Sequence, residues 1–90
     1  MSKILIIEDD LFLGDVLVQK LKKEGFQTTL ICDGALGYES IVSLKPDLIL
    51  LDIILPNMSG YEILEKKQKE PEIAKIPVSK PPLLEFLFNS

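Results

Sequence analysis

The sequence predicts an α/β fold in which a parallel sheet is assembled from alternating strands and helices. Two observations carry this. The runs Ile4–Ile7 and Leu48–Leu51 are apolar on every residue, the pattern of strands buried on both faces of a parallel sheet. The segments around them switch to helical spacing and alternate with strands through short, Gly- and Pro-marked connections, as βαβ units do.

The elements follow in order. After the first strand, Leu13, Val16, Leu17 and Leu21 recur at helical spacing between Asp10 and Glu24. Lys20, Lys22 and Lys23 fall on the other side and in the last turn, where cations suit the negative end of the helix dipole. Gly25 is a natural stop just past that helix. Phe26–Ile31 reads as a second strand, polar at Gln27, Thr28 and Thr29 and therefore nearer an edge. Asp33 is a candidate N-cap for a second helix reaching Leu44. Ala35, Leu36, Tyr38, Ile41 and Val42 supply its apolar content, and Gly34 and Gly37 weaken it by up to about 1 kcal/mol each. Pro46 precedes the strand core Leu48–Leu51, bounded by Asp47 and Asp52. Ile53–Gly60 is a loop with Pro56, Asn57 and Gly60. Tyr61–Lys69 reads as a third helix with Tyr61, Ile63 and Leu64 facing inward, ending before Pro71.

Composition bounds the function classes. A chain of 90 residues, 47% hydrophobic and 27% charged, is at most one small globular domain. Its net charge of −4 with no Lys/Arg cluster argues against direct nucleic-acid binding. The lone Cys32 allows no intrachain disulfide, fits a reducing cytoplasm, and reads as a small core residue. The absence of histidine removes His-based acid/base catalysis, Ser-His-Asp triads and most zinc sites. No stretch approaches the roughly 20 apolar residues that span a membrane, and the short run Ile4–Ile7, followed by three acids, is no signal peptide.

The chemistry sits in the acids. Glu8, Asp9 and Asp10 end the first strand, and Asp52 ends the third. In open α/β sheets the ligand crevice lies beyond the carboxyl ends of the strands at the topological switch point. If strands one and three are neighbours, these carboxylates meet and require a cation. Oxygen ligands without His or Cys favour magnesium over zinc. Any one of these acids alone would equally suit a solvated turn; two apolar strand cores ending in acids point to a site.

The segments Lys3-Ile4-Leu5-Ile6-Ile7-Glu8-Asp9-Asp10 and Pro46-Asp47-Leu48-Ile49-Leu50-Leu51-Asp52-Ile53-Ile54-Leu55-Pro56-Asn57-Met58-Ser59-Gly60 together resemble the receiver domains of two-component response regulators. The resemblance covers about residues 3–78. It implies a flavodoxin-like (CheY-like) parallel three-layer sandwich with strand order 2-1-3-4-5. It also implies that Glu8 and Asp9 hold Mg2+ (or Mn2+), with the backbone carbonyl of Ile54 completing the metal site. Asp52 would be the phosphoacceptor served by a sensor histidine kinase or phosphotransfer protein. Asp10 would lie just outside the site. Such a chain is cytoplasmic and is no enzyme; at most it assists its own phosphorylation and dephosphorylation. A carboxylate can attack a phosphoryl group to give an acyl phosphate, and the charge that gathers on the phosphoryl oxygens calls for a metal and for positioning rather than for histidine.

The pattern departs from the family after Val78. Residues 1–78 read as a partial receiver with the start of a fourth strand, and 79–90 as an atypical apolar tail. Two readings of that tail stay open. An internal deletion could join the fourth strand to the family's Lys-Pro, with Lys80 and Pro81 as that pair; or the tail is unrelated sequence. Ser79 is a candidate switch hydroxyl, too early on its strand, and Lys80 a candidate phosphate contact. The alternative function is therefore a shortened, phosphorylation-inactive receiver that acts as an oligomerisation or interaction module. An incomplete sheet edge and the apolar run Leu83–Phe88 predict a homo-oligomer. A haloacid-dehalogenase-type phosphohydrolase would need an Asp where Ile54 stands, and a dinucleotide-binding half would need a G-x-G-x-x-G loop after the first strand.

Overall fold

The computed structural model describes residues 2–81. The elements run β1 (Lys3–Ile7), α1 (Leu11–Lys23), β2 (Gln27–Ile31), α2 (Gly34–Leu44), β3 (Leu48–Leu51), α3 (Gly60–Gln68) and β4 (Val78–Ser79). The four strands form one sheet in the order β2-β1-β3-β4, parallel throughout. This is the predicted class and the first four places of the order that the resemblance implies. The weakly apolar β2 lies at the edge. The tail from Pro82 onward falls outside the described residues.

Ile4–Ile7 of β1 are all buried, and their side chains alternate between two clusters that divide the core into two halves. Leu5 and Ile7 join Ile41, Ile49, Leu51, Ile63 and Ile73 under α2 and α3. Ile4 and Ile6 join Leu17 and Leu50 under α1. Strands covered on both faces have no polar face, which is why β1 and β3 read as continuous apolar runs. Fully burying each such side chain contributes about 1.5–3 kcal/mol.

Each helix starts on a side-chain cap. Asp10 accepts from the Leu13 amide at 3.2 Å, Asp33 from that of Leu36 at 2.9 Å, and Ser59 from that of Glu62 at 3.2 Å. Each satisfies an amide that has no partner within its helix. α1 ends as predicted, with Gly25 at φ 93° following the Glu24 cap. On α3, Lys67 is buried; its Nζ donates to the Ala74 carbonyl at 2.8 Å, and burial lowers its pKa from 10.5.

One expectation is corrected. Tyr61 does not face inward but is 70% exposed. Gly60, Ile63 and Lys67, at i, i+3 and i+7, form the buried stripe, and Tyr61, two residues before Ile63, lies on the opposite face. Leu36 and Val42 are likewise exposed on α2, whose inward positions are Gly34, Gly37 and Ile41. The glycines are therefore not simply weak points. A Cβ at Gly37 would stand 2.8 Å from the Ile7 side chain, so glycine lets α2 lie close on β1.

Asp33 gives a pH prediction. The Leu36 amide and then Asn57 hold its carboxyl below the ordinary 3.8. A group with a lowered folded pKa stabilises above its unfolded pKa and loses that stabilisation as pH falls through the folded value. Urea midpoints measured at a series of acid pH values should fall less steeply for Asp33→Asn than for wild type. Equal slopes would mean that this carboxylate contributes nothing.

Candidate functional site

The chain passes from β1 outward to β2, then crosses to place β3 on the other side of β1. The switch point therefore lies between the C-terminal ends of β1 and β3, where sheets of this kind bind ligands. The register Ile7↔Leu51 brings Glu8 and Asp52 out side by side. Backbone bonds secure both: the Glu8 amide donates to the Ile31 carbonyl and the Asp52 amide to the Ile7 carbonyl, each at 3.0 Å.

Glu8, Asp9 and Asp52 each offer one carboxylate oxygen to a cluster whose atoms all lie within 4.8 Å of one another. Glu8 is only 4% exposed, Asp52 is half-buried and Asp9 is exposed. Burial, followed by the charges of Asp52, Asp9 and Asp10, raises the Glu8 pKa from 4.5, opposed by the hydrogen bond from the Asp10 amide at 3.1 Å. One oxygen of Asp52 accepts from the Ile53 amide at 2.8 Å. Three converging carboxylates, one nearly without water, fit a bound cation, and the all-oxygen donor set fits Mg2+ or Mn2+.

The remaining candidates distribute as follows. Asp10 caps α1 and stays out of the cluster. The Ile54 side chain is 81% exposed and takes no part in the core. Ser79 pairs with Leu50, two residues short of Asp52 along β3, and both Ser79 and Lys80 are exposed. Asp47 lies at the opposite end of β3, bonded to Lys3 through backbone and side chain.

Sequence reasoning missed the anchoring of the loop after Asp52. The Gly34 amide donates to the Pro56 carbonyl at 3.0 Å, the Asn57 side chain donates to Asp33, and the Gly60 amide donates to the Ile53 carbonyl at 2.8 Å. Asn57 adopts φ 68°, a conformation that Asn tolerates better than most residues. That tolerance was the only signal in the sequence. Gly60 admits no side chain: a Cβ would stand 2.5 Å from the Asp52 carbonyl oxygen.

Fold and site together define a doubly wound α/β domain with a carboxylate pocket at its switch point. The model of the response regulator receiver domain family matches residues 4–80, and the chain belongs to that family. The DNA-binding response regulator MtrA of Mycolicibacterium paratuberculosis is 41% identical over 62 residues, 69% of this chain and 28% of that protein. The chain thus spans less than a third of that relative's length. The N-terminal domain of a response regulator receiver protein from Methanoculleus marisnigri superposes with a TM-score of 0.81 at 32% identity, covering 94% of this chain and 72% of that one. The receiver domain of the Pseudomonas aeruginosa sensor histidine kinase PA1611, solved with magnesium in its active-site cleft, gives 0.81 at 27% identity over 86% of this chain and 63% of that one. The chain is a receiver domain of the two-component response-regulator type. Among the described residues no helix is long and apolar enough to cross a membrane.

Proposed function

We propose that Asp52 accepts a phosphoryl group from a histidine kinase or phosphotransfer protein, with Mg2+ or Mn2+ held by Glu8, Asp9, Asp52 and the backbone carbonyl of Ile54. The observation that carries this is the convergence of the three carboxylates at the switch point. A carboxylate oxygen of Asp52 attacks phosphorus, the bond from phosphorus to the donor's imidazole nitrogen breaks, and the electron pair leaves with the imidazole. The product is an acyl phosphate. A divalent cation held there would supply neutralisation of the charge on the phosphoryl oxygens. Glu8, fixed by its own amide on the Ile31 carbonyl and by the Asp10 amide on its carboxylate, and Asp9 would supply the negative charge that retains that cation. The chain is then a phosphoacceptor rather than a turnover enzyme, working in the cytoplasm with a protein donor; its net charge of −4 speaks against a nucleic-acid partner.

The test uses the wild-type chain, the Asp9→Ala variant and two measurements. Calorimetry should register Mn2+ binding to wild type and a loss of about 10-fold or more in affinity for Asp9→Ala. With a small-molecule phosphodonor, mass spectrometry should find phosphate on the wild-type chain only when divalent metal is present. Equal metal binding by both proteins, or phosphorylation indifferent to a chelator, would sink the reading.

We propose further that the chain self-associates through the outer edge of its sheet. β4 has two residues, pairs with β3 only at Ile49 and Leu50, and has no strand on its outer side among the described residues. An open strand edge is a template for another chain, and a two-fold dimer satisfies it most simply. Light scattering at micromolar concentration should give a dimer or larger mass. A monomer mass unaltered by truncation after Val78 would defeat this.

A further inference from the structure

We infer that Asp33 and Asn57 are positioning residues: a clasp that fixes the loop following Asp52 from the N-terminus of α2. The inference rests on the phosphoacceptor reading, and it concerns residues outside the carboxylate cluster.

One carboxylate performs two tasks. Oδ1 of Asp33 accepts from the Leu36 amide and so caps α2, while Oδ2 accepts from the Asn57 side chain. The next residue continues the joint, since the Gly34 amide donates to the Pro56 carbonyl. Met58 closes it from the other side, with its carbonyl against the Gly34 Cα where no side chain fits. Farther along, Gly60 is bonded to Ile53. Ile54 and Leu55 are therefore strung between Ile53, tied to the start of α3, and Pro56, tied to the start of α2. In the proposed site the Ile54 carbonyl is a metal ligand, and a ligand on a loop is only as well placed as the loop's ends. Asp33 and Asn57 hold one of those ends. Their geometry needs an amide donor on a residue at positive φ, which Asn supplies at low conformational cost.

Three variants test this in the full chain. Asn57→Gly keeps positive φ available and removes the amide. Asp33→Ser keeps a helix-capping oxygen and removes the second acceptor. The exchanged pair, Asp33→Asn with Asn57→Asp, restores one donor and one acceptor across the joint. Mn2+ titration followed by water-proton relaxation should give affinity about 10-fold weaker for each single variant, the scale for partners that orient metal ligands, and recovery in the exchanged pair. Thermal melts run in parallel. A merely structural contact would lower the melting temperature and leave Mn2+ affinity unchanged, and that result overturns the proposal. If the wild-type chain itself binds no Mn2+, the metal reading fails separately, and amide exchange decides the clasp. Faster exchange at Gly34 and Gly60 in Asn57→Gly and Asp33→Ser, reversed in the exchanged pair, supports it; unchanged exchange overturns it.

Discussion

Offered a small-molecule phosphodonor and Mg2+, the Asp52→Asn chain should take up no phosphate above background, while Asp47→Asn should take up as much as wild type. The two aspartates bound the same strand and cannot be separated by composition or local apolar context. Topology separates them. Asp47 lies five residues before Asp52, about 16 Å along an extended strand, beyond any shared metal. Its carboxylate accepts from the Lys3 amide at 2.7 Å, and its own amide donates to the Lys3 carbonyl at 2.8 Å. Asp52 emerges where Glu8 and Asp9 emerge. An amide at position 52 is nearly isosteric, keeps an acceptor for the Ile53 amide and lacks the nucleophilic oxygen, so folding should survive while phosphorylation is lost. Intact-mass measurement after a brief incubation reads both variants directly. Phosphate retained in Asp52→Asn and lost in Asp47→Asn would place the chemistry at the wrong end of the sheet.

The strands were legible because their burial demands it. Ile4–Ile7 and Leu48–Leu51 could be read as central from their lack of a polar face, and β1 and β3 are the two inner strands. Caps were legible as well: Asp33 and Gly25 act where their residue types suggest. Helix faces were less so. Tyr61 is apolar enough to be read inward, yet a nine-residue helix has few inward positions, and Gly60, Ile63 and Lys67 take them. A lysine in that set could not be anticipated, because it depends on the Ala74 carbonyl arriving from the following turn. The carboxylate cluster was readable in its members, and its closeness required knowing that β1 and β3 are neighbours. The anchoring of the 53–60 loop was illegible for the same reason. It joins residues 24 apart in sequence, Asp33 and Asn57, whose types alone suggest only a cap and a turn.

Gly34→Ala should be among the most destabilising single-methyl changes available to this chain. A Cβ there would collide with the Met58 carbonyl oxygen and stand 2.7 Å from its carbonyl carbon. Those are backbone atoms, bound into a loop that Pro56 and Gly60 hold at either side, so no rotamer change relieves the overlap. At Gly14 and Gly37 the obstructing atoms belong to the Leu30 and Ile7 side chains, which can shift. Alanine gains up to about 1 kcal/mol in helix propensity, but overpacking costs about 1–3 kcal/mol and occasionally more, and an overlap with fixed backbone falls at the upper end, about 3 kcal/mol. A domain of this size holds about 0.05–0.15 kcal/mol per residue in total. With a shift of about 4–8 °C per kcal/mol, a net loss of about 2 kcal/mol lowers the melting temperature by at least about 8 °C. Gly25→Ala is the control: its φ of 93° disfavours alanine, yet nothing lies within 4 Å of the added Cβ, so the cost stays at about 1 kcal/mol. Melts of both variants by circular dichroism, with and without Mn2+, compare a clash with simple backbone strain. Gly34→Ala melting within a few degrees of wild type would mean that the joint between α2 and the loop yields easily. A joint that yields could not hold the Ile54 carbonyl in place, so the same result would weaken the case for the clasp.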